Sequence, residues 1–473
     1  MTKKIAKIFF ILSIIASVVL GAMVVMNGIL PTKYRIIFLV ILLLFELLLY
    51  FLLKKSETGT LVGLIVLAVF SIVINSFASY YIYSGVNAID DINKKQKTEE
   101  INMSLVVLKD SPYKTIEDVK DELVKTAIDQ DEKNIREYEK ALSKKRDIDL
   151  NLEDSKTYIQ AAQDLMDSKA EVILLNESYR AIVNDQIEDF DEKTRVLDSV
   201  TEEVNVDDIS KKVNENGSFN VYISGIDTYG ALTRVSRSDV NLILTVNPKT
   251  HKMLITTVPR DSYVNIAGGG NEQKDKLTHA GVYGIDSSVK TIENLFDTDI
   301  NYYARVNFST FMQVIDVLDG VDVYNDQAFT RGAYDFPAGN IHLDGEKALV
   351  FARERYSLER GDLDRGRNQE KVLKAMIEKA LSPSILINYN SFLDIMINST
   401  DTNMSRDQVI KLINQQIDYG KSWQIDTTEV KGTGQMGLPS YAMPGSNLYM
   451  HVLNEDSVKE VSEKIEKTLS EDK

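Results

Sequence analysis

Three long stretches near the amino terminus are almost free of charge. Ile8 to Thr32 carries none, Ile36 to Leu53 carries only Glu46, and Thr58 to Ile89 again carries none. A helix needs ~20 apolar residues to cross a bilayer. The pattern therefore predicts three membrane-spanning helices, at about 8–29, 36–53 and 60–83. Lys3, Lys4 and Lys7 look like the n-region of a cleaved signal peptide, but the first apolar run is too long for one and two more follow at once. An uncleaved anchor is expected. Lysines before the first span and Lys54-Lys55 between the second and third belong in the cytoplasm by the positive-inside rule, against the weaker opposing pair Lys33 and Arg35. Everything after about residue 90 then lies outside, with Tyr80, Tyr81 and Tyr83 at the outer interface. Glu46 is expected to face a neighbouring helix rather than to line an ion pathway.

Charge and composition restrict what the rest can do. The 473-residue chain has a net charge of −16. Its first 90 residues hold seven Lys/Arg and three Asp/Glu, so the remainder is strongly acidic and repels polyanions. A nucleic-acid role is not expected. There is no cysteine, which excludes disulfides, thiolate nucleophiles and cysteine-ligated zinc. The four histidines, His251, His279, His342 and His451, show no metal-ligand spacing.

Beyond the anchor the chain reads as α/β throughout. Residues 95–205 lack glycine and suggest a small α/β accessory domain: strands at 103–108 and 171–175, helices at 115–124, 133–145 and 156–168. No chemistry is evident in it. A polar break at 213–218 leads into a larger α/β domain, 215–473. There, strands at 219–224, 240–246 and 253–258 precede helices at 279–296, 309–318, 344–352, 366–380, 405–418 and 455–469. This predicts a mixed central sheet with helices on both faces.

Ten of the sixteen arginines fall between Arg234 and Arg367, whereas lysine dominates elsewhere. Arginine offers a planar fork that binds phosphate or carboxylate bidentately. Arg237 and Asp239 stand at the start of one hairpin strand, and Arg260 just after its partner, so antiparallel pairing brings them to one sheet end. Asp227, after the preceding strand, is placed to join them. Arg353 and Arg355 are two apart and point the same way in an extended or loop segment; Arg365 and Gln369 share a helix face. The set suits a phosphate-handling pocket with a divalent metal. A solvated salt-bridge network is the plainer alternative for 353–369 alone.

At these residues the chain resembles the LytR-CpsA-Psr family. The resemblance rests on Arg237-Ser-Asp239, Val258-Pro-Arg-Asp261, Val321-Asp-Val-Tyr324, and Gly345 through Arg353-Glu-Arg355 to Gly361-Asp362, Arg365 and Gln369. It covers about 215–385; the anchor and acidic unit are similar to the streptococcal capsule-biosynthesis (CpsA-type) branch. The resemblance implies a Gram-positive membrane enzyme with extracellular domains. It would move capsular polysaccharide from an undecaprenyl-pyrophosphate carrier onto peptidoglycan as a phosphodiester, alongside other capsule-assembly proteins. It also implies that Arg237, Arg260, Arg353, Arg355, Arg365 and Gln369 hold the pyrophosphate, that Asp227 and Asp239 bind Mg²⁺ or Mn²⁺, and that Asp362 is a candidate base. The family's basic or polar residue before the glutamine is here Asn368, with Arg367 one place earlier, and the family's asparagine-type segment here reads Lys276-Leu-Thr-His279-Ala280. The isoprenoid would need an apolar tunnel, expected between the sheet and helices 279–296 and 309–318. A polyprenyl-pyrophosphate phosphatase and a non-enzymatic membrane-bound regulator are the competing readings.

Overall fold

The computed structural model describes residues 2–28, 30–55, 57–95, 98–205, 211–214, 217–226, 235–382, 388, 391–392, 395 and 399–472. Contacts divide the chain into two compact units.

The first unit contains helices α1 (Thr2–Met26), α2 (Thr32–Lys54) and α3 (Thr58–Lys95), together with a later helix at Arg406–Tyr419. All three are long and apolar enough to cross a membrane. The third outruns the expected span and continues to Lys95. Glu46 accepts hydrogen bonds from Ser13 at 2.7 Å and Ser17 at 2.8 Å, so it faces α1 as expected. Asn75 extends the cluster by donating to Ser17 and Ser71. In apolar surroundings such groups must satisfy one another, and this network links all three helices.

In the second unit, residues 98–205 form strands β1 (Thr98–Leu108), β2 (Leu123–Thr126), β3 (Asn151–Asp154), β4 (Val172–Asn176) and β5 (Thr194–Asn205), in the order β3-β2-β4-β1-β5. Helices α4 (Ile128–Arg146), α5 (Tyr158–Met166), α6 (Arg180–Gln186) and the short α7 (Phe190–Lys193) pack with them. The helix expected at 115–124 is instead one 3₁₀ turn running into β2. Its capping signals are real, since the Asp118 carboxylate accepts from the Lys114 and Thr115 N–H groups at 2.7 and 2.9 Å. Val124 is then drawn into the buried sheet core, which overrides local helix preference.

The larger sheet uses β6 (Phe219–Ile226), β7 (Ser238–Asn247) and β8 (Lys252–Thr257), flanked by later strands. Next come β9 (Tyr263–Asn265), β10 (Lys274–Lys276), α8 (Leu277–Ala280), α9 (Ile285–Phe296), β11 (Tyr302–Val306), α10 (Phe308–Val317), β12 (Val321–Asn325), β13 (Phe329–Arg331), β14 (Tyr334–Phe336) and β15 (Gly339–Leu343). The chain continues through α11 (Gly345–Arg353), α12 (Asp362–Ala380), β16 (Asp401–Thr402), α13 (Arg406–Tyr419), β17 (Gln424–Glu429), β18 (Gly432–Met436), β19 (Tyr449–Leu453) and α14 (Glu455–Ser470). The six strands run β16-β11-β6-β7-β8-β17; β6-β11 and β8-β17 are parallel pairs, the others antiparallel. The sheet is mixed, as expected. The helix expected over 279–296 is broken at Gly284, whose φ of 104° suits glycine, so only α9 is continuous.

Ile285, Val289, Ile292 and Phe296 recur at helical spacing and meet Val461, Ile465 and Leu469 of α14 over Tyr222, Ile243 and Leu254 of the sheet. On the other face α12 lies against Thr257, whose hydroxyl donates to Glu370 at 3.1 Å. Arg305 of β11, only 3 % exposed, is paired with both Glu99 of β1 and Asp401. That buried pair joins the smaller sheet to the edge of the larger one.

Gly281 sits where a Cβ would lie 2.4 Å from the Ser236 carbonyl oxygen and 2.6 Å from the Ser238 nitrogen. The backbone there is helical, so contact alone demands glycine. Gly281→Ala is expected to destabilise the protein by about 1–3 kcal/mol, the cost of overpacking. Urea denaturation of the detergent-solubilised chain checks this; unchanged stability would show that the 236–238 segment yields freely.

Candidate active site

The antiparallel β7-β8 pair, in register from Leu242 opposite Thr257, sets the geometry. It brings Asp239 and Arg260 together at one end of the sheet, with Arg260 Nη1 2.7 Å from Asp239 Oδ2. The other Asp239 oxygen accepts from the Thr278 hydroxyl of α8 at 2.9 Å. Asp261 pairs with Lys276 at 2.9 Å and lies 3.7 Å from Arg260 Nε. Arg237 is buried and ion-paired with Asp185 of α6.

Helices α11 and α12 supply the remaining groups. Arg353 is the last residue of α11 rather than part of an extended segment, and its guanidinium lies 4.1 Å above the Phe308 ring. After it the backbone extends at Glu354, whose carboxylate accepts from Ser357 N–H at 2.8 Å, and Arg355 follows with its guanidinium over Tyr356. Arg365 and Gln369 share the inner face of α12; Gln369 donates to the Ala352 carbonyl at 3.1 Å and Arg365 pairs with Asp362 at 2.6 Å.

Seven sequence-predicted residues, Arg237, Asp239, Arg260, Arg353, Arg355, Arg365 and Gln369, line one cleft of about 1050 Å³. Its apolar wall comes from Phe308 and Met312 of α10 and from Leu349 and Val350 of α11. The tunnel expected along 279–296 is not what α9 forms, because its apolar face is consumed by the core. Asp362 stands behind the arginines, bordering a separate cavity of about 10 Å³ with Arg260, Arg365 and Gln369. That cavity has room for about one water. Asp227 lies outside the described residues.

The remaining sequence signals are structural. Arg360 pairs with Asp364 at 2.7 Å and Arg367 with Glu429 at 2.7 Å, on the flank of the sheet. Asn368 is buried and donates to the Phe351 carbonyl. His279 contacts Asp275 at 2.8 Å, and Asp275 also accepts from Ser440 and the Ala442 N–H, so this cluster anchors a loop. Asp185 and Arg331 line the cleft and were missed. Arg331 belongs to the arginine-rich stretch and could have been suspected; nothing local marks Asp185.

Burial disfavours the Asp239 carboxylate, but the charges of Arg260, Arg237 and Arg365 outweigh it and hold its pKa below the ordinary 3.8. Burial raises the carboxyl of Asp362 and lowers the guanidinium of Arg365, because desolvation penalises both members of that pair. Asp239 thus offers an ionised, hard oxygen ligand in the cleft, a donor that suits Mg²⁺. No cluster of three or more acidic or histidine residues with metal-binding geometry occurs among the described residues.

Asp239→Asn removes the nearer carboxylate from Arg260, 13 % exposed, and leaves Asp261 at 3.7 Å. A loss of about 1–3 kcal/mol is expected. Because the folded pKa of Asp239 is lowered, its contribution is present above the unfolded pKa and is lost as pH falls through the folded value. Chemical denaturation at several pH values should show a gap between wild type and variant that is steady above pH ~4 and closes in stronger acid. A gap independent of pH would contradict this assignment.

Comparisons with known proteins agree with the residue pattern. The chain is 38% identical over 235 residues to the polyisoprenyl-teichoic acid–peptidoglycan teichoic acid transferase TagU of Oceanobacillus iheyensis, covering 48% of this chain and 71% of that protein. It is 37% identical over 209 residues to the Bacillus anthracis TagU, covering 44% of this chain and 68% of that one. The crystal structure of Bacillus subtilis TagV superposes with a TM-score of 0.47 and 28% identity, over 54% of this chain and 98% of TagV. A DNA polymerase processivity factor model matches residues 54–175, well under half of the chain and starting at the last residue of α2. The LytR_cpsA_psr family model matches residues 179–467, more than half of the chain, and the chain belongs to that family.

Proposed function

We propose that the protein transfers a glycopolymer from a polyprenyl-pyrophosphate carrier to peptidoglycan, forming a phosphodiester. One observation carries the reading: arginines scattered from 237 to 365 converge on a single cleft whose adjoining wall is apolar. An arginine cluster alone would suit any phosphate. An arginine cluster beside an apolar wall suits a pyrophosphate that bears a lipid tail. The relatives named above, both transferases of a polyisoprenyl-linked polymer to peptidoglycan, support the same reaction.

In this reading the acceptor is a muramic acid C6 hydroxyl, attacking the phosphorus next to the sugar. A new P–O bond forms to the acceptor, the bridging P–O bond of the pyrophosphate breaks, and prenyl phosphate leaves with the electron pair. Arg237, Arg260 and Arg365 neutralise the charge from the sheet end; Arg353 and Arg355 hold the group from α11 and its extension. Gln369 orients the group through its amide. The proton of the attacking hydroxyl passes to solvent or to a carboxylate; Asp362, placed behind Arg365, acts by holding that arginine. Mg²⁺, or Mn²⁺ in its place, would be held by Asp239 and Asp227 and would supply further neutralisation of phosphate charge. The positive-inside pattern of Lys3, Lys4, Lys7, Lys54 and Lys55 supports a reaction on the outer side of the membrane. The polymer is a capsular polysaccharide in the reading suggested by the anchor and accessory unit, and other capsule-assembly proteins would act beside it.

Arg353→Ala combined with Arg355→Ala is expected to lower transfer by at least ~10²-fold, the effect of losing one preorganised donor. The purified full chain, given lipid-linked polymer and peptidoglycan, provides the assay. Free polymer as the only product would replace the transferase with a phosphatase, and normal wall attachment in cells carrying the double variant would favour a regulator. Chelation of divalent metal should abolish transfer and Mg²⁺ or Mn²⁺ should restore it; activity persisting in chelator would remove the metal from the scheme. A reporter fused at residue 95 should read as extracellular.

A further inference from the structure

Asp185 belongs to α6, in the acidic unit that shows no chemistry in its sequence. Its carboxylate nevertheless lines the cleft and is ion-paired with Arg237 Nη1. The Arg237 side chain is 8% exposed and that of Asp185 52%.

Neither residue depends on the other for its place. Ile182 and Val183 of α6 are fully buried in a core that includes Val282, Ala442 and Met443. Ser446 also donates to Gln186 at 3.1 Å, next to Asp185. On the other side, Gly281 packs against the backbone at Ser236, Arg237 and Ser238 and fixes the strand entry. Two rigid elements therefore present a carboxylate and a guanidinium to each other at the wall of the cleft.

Carboxylate and phosphate oxygens use the same arginine donors. We propose that Asp185 is an affinity-setting residue: an internal anion that competes with the substrate's pyrophosphate for Arg237. This rests on the reading of the cleft as a pyrophosphate site. The consequence is a weaker but more reversible grip. Asp185 pairs with Arg237 between turnovers and returns to it when prenyl phosphate departs.

Isothermal titration of the detergent-solubilised full chain with geranyl pyrophosphate tests the idea. Asp185→Asn is expected to lower Kd about three- to fivefold, the range set by a partly exposed ion pair. Asp185→Glu, which keeps the charge, should remain near wild type. Asp191→Asn removes a charge from the same unit, where Asp191 pairs with Arg180, and should leave Kd unchanged. Thermal melting confirms that each variant is folded. Unchanged or weaker binding by Asp185→Asn, or equal tightening by Asp191→Asn, would overturn the competition while leaving the pyrophosphate reading intact. Absence of binding by wild type and Asp185→Asn alike would overturn the pyrophosphate reading and this inference with it.

Discussion

Guanidinium groups crowded into one cleft repel each other, and the architecture of the site follows from managing that repulsion. Each of the three deepest arginines has its own carboxylate: Arg260 with Asp239, Arg365 with Asp362, and Arg237 with Asp185. The pairs come from different elements, so the cleft can assemble only when the sheet, α12 and α6 are all in place. Carboxylate and phosphate oxygens use the same arginine donors, so the groups that pair the arginines are of the same kind as the ligand proposed for the cleft.

The fold meets this demand by placing strand ends and helix ends at one edge. β7 and β8 deliver Asp239 and Arg260 side by side, and Gly281 lets α8 approach closely enough for Thr278 to hold the second Asp239 oxygen. The α10–α11 wall brings the apolar side chains of Phe308, Met312, Leu349 and Val350 beside the arginines. The buried Glu99–Arg305–Asp401 cluster fastens the smaller sheet to the larger and keeps α6 within reach of the site.

Elements with strong periodicity were readable from the sequence. The apolar spans, the β7-β8 hairpin and the faces of α9, α12 and α14 all follow from spacing, because each buries one face in a core the chain itself provides. The misreadings arose where local preference met tertiary demand. Residues 115–124 carry a helix cap, yet the chain enters β2 because Val124 is needed in the buried sheet. The short strands β12 to β15, β18 and β19 pair with near neighbours but are too brief for an alternating pattern to stand out, and β17 pairs with β8 far back along the chain. The apolar tunnel is expected along both 279–296 and 309–318 because core and channel use the same residue types; packing shows that α10 lines the cleft whereas the apolar face of α9 lies in the core.

The sequence by itself determined the chemistry: arginines in place of lysines, their spacing on strand ends and helix faces, and three uncharged spans. Residue type and periodicity are local properties, and they suffice to say which groups share a face. The tertiary structure decided what those groups face. It set Asp362 behind Arg365 instead of in the cleft, gave Arg353 a helix end above Phe308, and brought Asp185 to Arg237 across 52 positions of sequence. Such pairings depend on how separate sheets and helices dock, and docking is governed by complementary surfaces that no local pattern records.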